Sequence, residues 1–368
     1  MTLTTTLLCS LLTFTFVTAQ APPRPRPARP PAAAAAKFKA IWEPVPFGKD
    51  LGLNAVTCVG PEACFAVGDK STILFTSDGG TTWQVQLGGD PGSIDDDLSK
   101  VFFLDAKNGW AMTERGKILG THDGSTWEEL ATESGTTKGV WFLTPQNGVE
   151  FENSDSTTQS TMKRSMDGGK SWKPEGRCSV DATVGGLARK LDCRLFTAHF
   201  LSPTVGFVGG GAALDMGTSA AAFGRTNDGA QTWAMSVIPE SKRHITGVTF
   251  WTERDGIAVL EGGEEVHWTA DGGATWTRAV RQRLWPTVYG VGEGKIIVEI
   301  KDGGGIAYSF NGGRNFTSRP FTLPARPHGL TFPDAQHGYV VGQHGMVYRY
   351  RIVPMEYTRQ GMLAALAP

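Results

Sequence analysis

Apolar and polar residues alternate along this chain in short runs, and hardly anywhere recur at the three-and-four spacing of a helix. Residues 55–58, 64–67, 72–76 and 82–86 read as four strands joined by turns and a loop. The same four-part unit returns five more times. A seventh set, 329–332, 338–341 and 346–351, stops without its fourth strand. Upstream of the first unit, Ile41-Trp42-Glu43-Pro44-Val45 has the pattern of just such an orphan strand. The expectation is an all-β, seven-bladed β-propeller of four-stranded antiparallel blades. The N-terminal strand would close the last blade and hide the edges that otherwise aggregate.

A short motif marks the turn before each fourth strand. It reads Thr76-Ser-Asp78-Gly-Gly-Thr-Thr-Trp83, Thr121-His-Asp123-Gly-Ser-Thr-Trp127 and Ser165-Met-Asp167-Gly-Gly-Lys-Ser-Trp172. Then follow Thr226-Asn-Asp228-Gly-Ala-Gln-Thr-Trp233, Thr269-Ala-Asp271-Gly-Gly-Ala-Thr-Trp276 and Ser309-Phe-Asn311-Gly-Gly-Arg-Asn-Phe316. From acid to acid the steps are 45, 44, 61, 43 and 40 residues, a blade-sized period. Glycine accepts positive φ without a steric penalty, and a carboxylate takes hydrogen bonds from the turn's own N–H groups. Asp78, Asp123, Asp167, Asp228, Asp271 and Asn311 are therefore structural, and the closing aromatic packs between blades.

This is the pattern called the Asp-box. Around it runs a longer repeat, seen in Val101-Phe-Phe-Leu-Asp-Ala-Lys-Asn-Gly-Trp-Ala-Met and in Thr331-Phe-Pro-Asp-Ala-Gln-His-Gly-Tyr-Val-Val-Gly. Together they resemble the photosystem II stability/assembly-factor-like family over roughly residues 40–353. That resemblance implies a seven-bladed propeller without known catalysis, and an ancestral task in helping a membrane or lumenal complex assemble. Related repeats also occur in sialidases, other glycoside hydrolases and sortilin-type receptors.

Composition agrees with the strand pattern: 47 glycines and 11 tryptophans suit a turn-rich β protein, and a net charge of −1 gives no global pull toward nucleic acid or membrane. The ends differ from the repeat. Residues 7–17 form an apolar run too short to span a bilayer, followed by Val17-Thr18-Ala19, so 1–19 reads as a signal peptide. Residues 20–39 read as a Pro/Ala/Arg-rich linker and 354–368 as a tail, with no transmembrane segment after signal cleavage. Four cysteines remain, an even number suited to a secreted or otherwise oxidising location. Cys58 with Cys64, across a hairpin, and Cys178 with Cys193, in one long loop, are the expected disulfides. Zinc-like spacing is lacking, and no metal or cofactor is expected.

Candidate chemistry is thin. His328, His337 and His344 cluster in sequence, but the repeat places them in loops on opposite faces. The carbohydrate alternative, a glycan-binding or sialidase-type hydrolytic propeller, would want an Arg-Ile-Pro entry motif, which does not occur. The acidic runs Asp95-Asp96-Asp97, Glu128-Glu129 and Glu264-Glu265 read as solvated surface, so no catalytic residue is assigned. The loops say more. Extra length gathers in 173–197 and 209–222, both expected on the face where each blade hands over to the next. On that face loop 88–99 carries four aspartates and no base, while loop 277–288 carries Arg278, Arg281 and Arg283 beside Trp285. An acidic sector around Asp95, Asp96 and Asp97 opposite a basic, aromatic one suggests a protein partner steered by charge. The expected role is a non-catalytic scaffold for protein binding or complex assembly.

Overall fold

The computed structural model describes residues 38–45, 47–90, 95–113, 115–132, 137–153, 158–214, 219–238, 241–263, 265–279, 288–291, 296–300, 306–319 and 322–354. The signal peptide, nearly all of the linker and the tail read from the sequence lie outside the described residues. Within Lys39–Val353 the chain is a β-propeller of antiparallel sheets, and the described residues form seven of them. Six follow the chain in order. Sheet one holds Leu53–Cys58, Cys64–Gly68, Thr72–Thr76 and Gln84–Leu87; sheet two begins at Leu98–Phe103 and sheet three at Thr137–Phe142. Sheet four begins at Ser179–Val184, sheet five at Ile245–Phe250 and sheet six at Val288–Val291. The last sheet joins Phe38–Pro44 to Val347–Pro354, His337–Gly342 and Pro327–Thr331. The orphan strand thus lies beside the end of the repeat, and Val45 donates its N–H to Val347 O at 2.9 Å.

The repeated turn explains itself atom by atom. In sheet one the Thr76 hydroxyl donates to Asp78 Oδ1 at 2.8 Å and accepts the Gly80 N–H at 3.0 Å. Thr82 returns its N–H to Asp78 Oδ1 at 2.9 Å and its hydroxyl to Oδ2 at 2.7 Å. Gly79 and Gly80 stand at φ 69° and 77°, which an L side chain resists. With Thr82 held by the turn, the outer strand starts at Gln84, two residues later than its sequence pattern suggests. Residues 167, 228 and 271 repeat the arrangement, and Asn311 preserves it with its amide oxygen accepting from Ser309 Oγ at 3.0 Å and Asn315 N at 3.2 Å.

A second repeat makes the core. In four sheets a strand ends in phenylalanine opposite a glycine that opens the next strand: Phe103 and Gly109, Phe142 and Gly148, Phe200 and Gly206, Phe250 and Gly256. A Cβ on any of these glycines would stand within 2.8 Å of that ring, so the ring itself fills the place of the side chain. Three of these rings also stack on a ring of the preceding sheet. Phe103 lies 3.7 Å from Phe65, Phe142 3.7 Å from Trp110, and Phe250 3.6 Å from Phe207, all nearly parallel. Burying one such ring contributes about 2–3 kcal/mol. Sheet one departs from the rule: its pair is Cys58 and Cys64, joined as a disulfide and packed under Tyr339 of the last sheet.

Apolar clusters link each sheet to the next. Val67 and Leu98 meet between one and two, Ile118 and Phe142 between two and three, and Val149 and Ala230 between three and four. Phe223 and Ile245 continue the series, then Val266 and Phe316, then Ile306 and Leu330, and finally Val341 and Leu53.

Sheet four is larger than the pattern suggests. Residues 173–197 and 209–222, expected as loops, are largely strand: Ser179–Val184 and Leu187–Phe200 form a hairpin, and Gly206–Ala213 and Ser219–Thr226 run eight residues each. The missed signal is Gly185-Gly186 between alternating residues, both at positive φ, a two-residue hairpin turn. The sheet has five strands, and the Cys178–Cys193 disulfide ties the base of the hairpin. Val180, Leu191, Ala212, Met235 and Val237 pack around that disulfide, so the outgrowth has an apolar core of its own.

Candidate functional site

The turn aspartates are chemically occupied. The Thr82 N–H, then its hydroxyl, hold Asp78 down to about 2, and the Ser171 and Thr232 hydroxyls do the same for Asp167 and Asp228. Thr126 N–H lowers Asp123, and the Thr275 hydroxyl lowers Asp271. A carboxylate held anionic by its own turn is a poor proton donor, and these groups hold the scaffold together.

The face that carries the hairpin has a built feature that the sequence reading did not contain. Five first strands slip register once near their start, and Leu187–Phe200 of sheet four slips once where its pairing with Gly206–Ala213 begins, leaving Asn54, Ser99, Lys138, Thr246, His328 and Phe196 outside the ladder. A bulge re-aims the extra residue and commonly marks a functional rim. Here the bulged residues of neighbouring sheets touch. His328 Nδ1 is 3.1 Å from Asn54 Oδ1, and Asn54 Nδ2 donates to Leu98 O at 3.0 Å, linking the last sheet, the first and the second. The Phe196 ring is 4.7 Å from His244, which leads into the next first strand. The signal was a three-residue step between buried apolar residues, Leu53 to Val56 and Ile245 to Val248, where a regular strand steps by two.

The residues proposed from sequence for partner binding are differently placed. Asp97 Oδ1 accepts the Lys70 N–H at 2.9 Å, and Asp96 O accepts from Ser71 N and Oγ at 3.0 and 2.8 Å. Lys70 and Ser71 have φ near 57° and 52°, strained for residues with a side chain, and these bonds hold them there. The Asp96 carboxylate pairs with Arg115 at 3.0 Å, while Asp95 is exposed. Much of the acidic run is therefore a brace between sheets one and two. Arg278 lies on the outer strand of sheet five, 3.5 Å from Glu265, and no described contact joins it to Asp95, Asp96 or Asp97. Arg281, Arg283 and Trp285 lie outside the described residues.

The clustered histidines take separate partners. His337 Nδ1 is 2.9 Å from the Asp334 carboxylate, His344 Nδ1 is 2.8 Å from Asp50 Oδ1, and His328 meets Asn54. Among the described residues no three metal-binding side chains converge, and no helix is long and apolar enough to cross a membrane.

These features define an all-β propeller whose repeated carboxylates are structural and whose variable length gathers on one face. Residues 34–195 match the family model described as photosynthesis system II assembly factor YCF48. Over that segment the chain is similar to the photosystem II assembly-factor-like propellers, and the same repeat continues beyond it. No curated protein matches in sequence. A solved YCF48 bound to D1 peptide is similar at TM-score 0.60 with 17% identity, covering 84% of this chain and 96% of that one. YCF48 from Cyanidioschyzon merolae gives 0.61 and 18%, over 86% and 99%. The WD40 propeller domain of Doa1 gives 0.57 and 11%, over 86% and 97%. At these identities the structures speak for the fold.

Proposed function

We propose that this chain is an exported, non-catalytic scaffold that binds a segment of a protein partner during assembly of a larger complex. In this reading the seven sheets are the seven blades of one closed ring, and the chain sits in an oxidising compartment. The family match over residues 34–195 carries the proposal, and a similar propeller is one solved with a peptide bound. Two disulfides suit such a compartment. The partner face is the one bearing the sheet-four hairpin and the bulged rim, and the charged residues assigned to it are Asp95 to Asp97 and Arg278, with Arg281, Arg283 and Trp285 assigned from the sequence repeat alone. Separated charges of this kind steer a partner and fix its orientation.

The test is capture of partners from the native compartment by the purified propeller, beside an Arg281→Glu/Arg283→Glu variant. The expected result is a protein retained by the native chain, released as salt rises and lost with the variant. Identical capture by both chains, or none by either, overturns the charged-face reading.

A further inference from the structure

Between sheets four and five lies a cleft of about 480 Å³, within the size range of small-molecule sites. Its walls are Ser236 of sheet four and Glu265, His267, Trp276 and Arg278 of sheet five. Glu265 belongs to a sequence pair that reads as solvated, yet its side chain is only 16% exposed. Its Oε1 lies 2.7 Å from His267 Nε2, and Arg278 Nη2 is 3.5 Å from its other oxygen.

Two buried polar atoms on these walls have no hydrogen-bond partner among the described residues: His267 Nδ1 and Trp276 Nε1. The His267 side chain is 7% exposed. A buried polar group left unpaired calls for an explanation. Facing a carboxylate, which only accepts, Nε2 donates to Glu265, and Nδ1 is the ring atom left without a partner. The Trp276 indole offers only a donor.

The repeat shows why the cleft is open here. Counted three residues past the aromatic of the outer strand, Gln86 in sheet one accepts from the Trp127 indole at 2.9 Å and donates to Gly124 O at 2.9 Å. The indoles of Trp83 and Trp172 are also unpaired, but the corresponding residues are apolar: Val45 packs with Trp83 and Leu130 with Trp172. Sheet four has Ser236 at this place. It is too short to do what Gln86 does and too small to fill the space.

We propose that this cleft binds a neutral saccharide ring. A hydroxyl both donates and accepts, so vicinal hydroxyls satisfy the Trp276 N–H and Arg278 as acceptors, Glu265 as donors, and His267 Nδ1 in whichever role it takes. The Glu265 carboxylate and the Arg278 guanidinium offset each other on the wall. An anionic ligand would meet Glu265. The cleft shares Arg278 with the charged face proposed for the protein partner, and its test below leaves Arg278 unchanged.

The experiment follows the indole N–H signal of Trp276 by NMR in the full propeller labelled with ¹⁵N-tryptophan, the signal being assigned by its loss in Trp276→Phe. Probes are glucose, galactose, mannose and N-acetylglucosamine, their methyl glycosides, and maltose and cellobiose. Free hexoses report a soluble sugar, and methyl glycosides report the terminal residue of a glycan. Acetate and succinate are the anion controls. At least one saccharide is expected to move the Trp276 signal saturably, with at least tenfold weaker binding in Ser236→Gln, which rebuilds the Gln86 cap and keeps the fold. No shift with any saccharide, a shift with the carboxylates alone, or undiminished binding in Ser236→Gln overturns the proposal.

Discussion

Arg349 donates from Nε to Oε1 of Glu43 at 2.9 Å, joining the third strand of the last sheet to the strand that begins the propeller. The same guanidinium donates to Gly79 O at 2.7 Å in the turn of sheet one, and Arg351 Nε adds a second pair to Glu43 at 2.8 Å. Arg164 does the equivalent between sheets three and four: it pairs with Glu175 at 2.7 Å and donates to Gly229 O and Ala230 O. The junction between the two ends of the chain is thus built like one inside it.

Removing residues 1–48 takes away Glu43, Trp42 and Val45 together and is expected to lower the melting temperature far more than removing residues 1–37, which leaves that strand in place. The milder Glu43→Gln change leaves two arginines short of a carboxylate and is expected to lose about 1–3 kcal/mol in urea denaturation. Unchanged melting in the deletion would mean that this junction contributes nothing.

Cys58 and Cys64 replace a phenylalanine-over-glycine pair, so Cys58→Phe/Cys64→Gly restores what the other sheets use. Closing so short a loop is worth about 2 kcal/mol, and Cys58→Ala/Cys64→Ala is expected to lose about that much. The Phe/Gly variant is expected to recover most of it, by stacking on Tyr339. Comparing the two by denaturant unfolding separates the covalent link from the packing.

Acid should loosen the turns at a definable point. Asp78, Asp167 and Asp228 have folded values near 2, below the ordinary 3.8. A depressed carboxylate stabilises the fold above about pH 4 and loses that contribution as pH falls through 2. Melting temperature should therefore decline steeply between pH 4 and 2. Asp228→Asn, the change that Asn311 already embodies, should flatten that decline while leaving the neutral-pH structure intact.

His199 responds in a higher window. Removal from water pushes its imidazole down to about 4 from 6.5, against a smaller opposing effect of the hydrogen bond the ring donates to the Phe250 carbonyl. The unfolded chain takes up this proton first, so stability present above about pH 6.5 declines toward pH 4. His199→Gln should remove that part of the pH dependence, read from melting curves at pH 7 and 5.

What was legible in the sequence was whatever repeats. The Asp-Gly turns, the strand order and the place of Trp42 all follow from comparing one unit with the next, because each copy answers the same local chemistry. The hairpin at Gly185-Gly186 was missed because it occurs once, inside a length that the repeat could label only as surplus. The bulged residues were missed for the opposite reason: a three-residue apolar step looks like noise until the pairing partner shows which residue is left over. Glu265 illustrates a further limit. Two adjacent acids look alike as letters, and only the fold sets one of them against His267.

The position of Phe38–Pro44 beside Val347–Pro354 also fixes a sequence of events. Phe38–Pro44, the earliest made of the described strands, finds its neighbour only when Val347–Pro354 has been made. Until then the growing chain is an open arc with bare strand edges at both ends, the state in which β proteins most readily associate with one another. Completion of the last sheet therefore waits for Val347–Pro354, and the interval before it is when this protein depends most on being kept apart from its own copies.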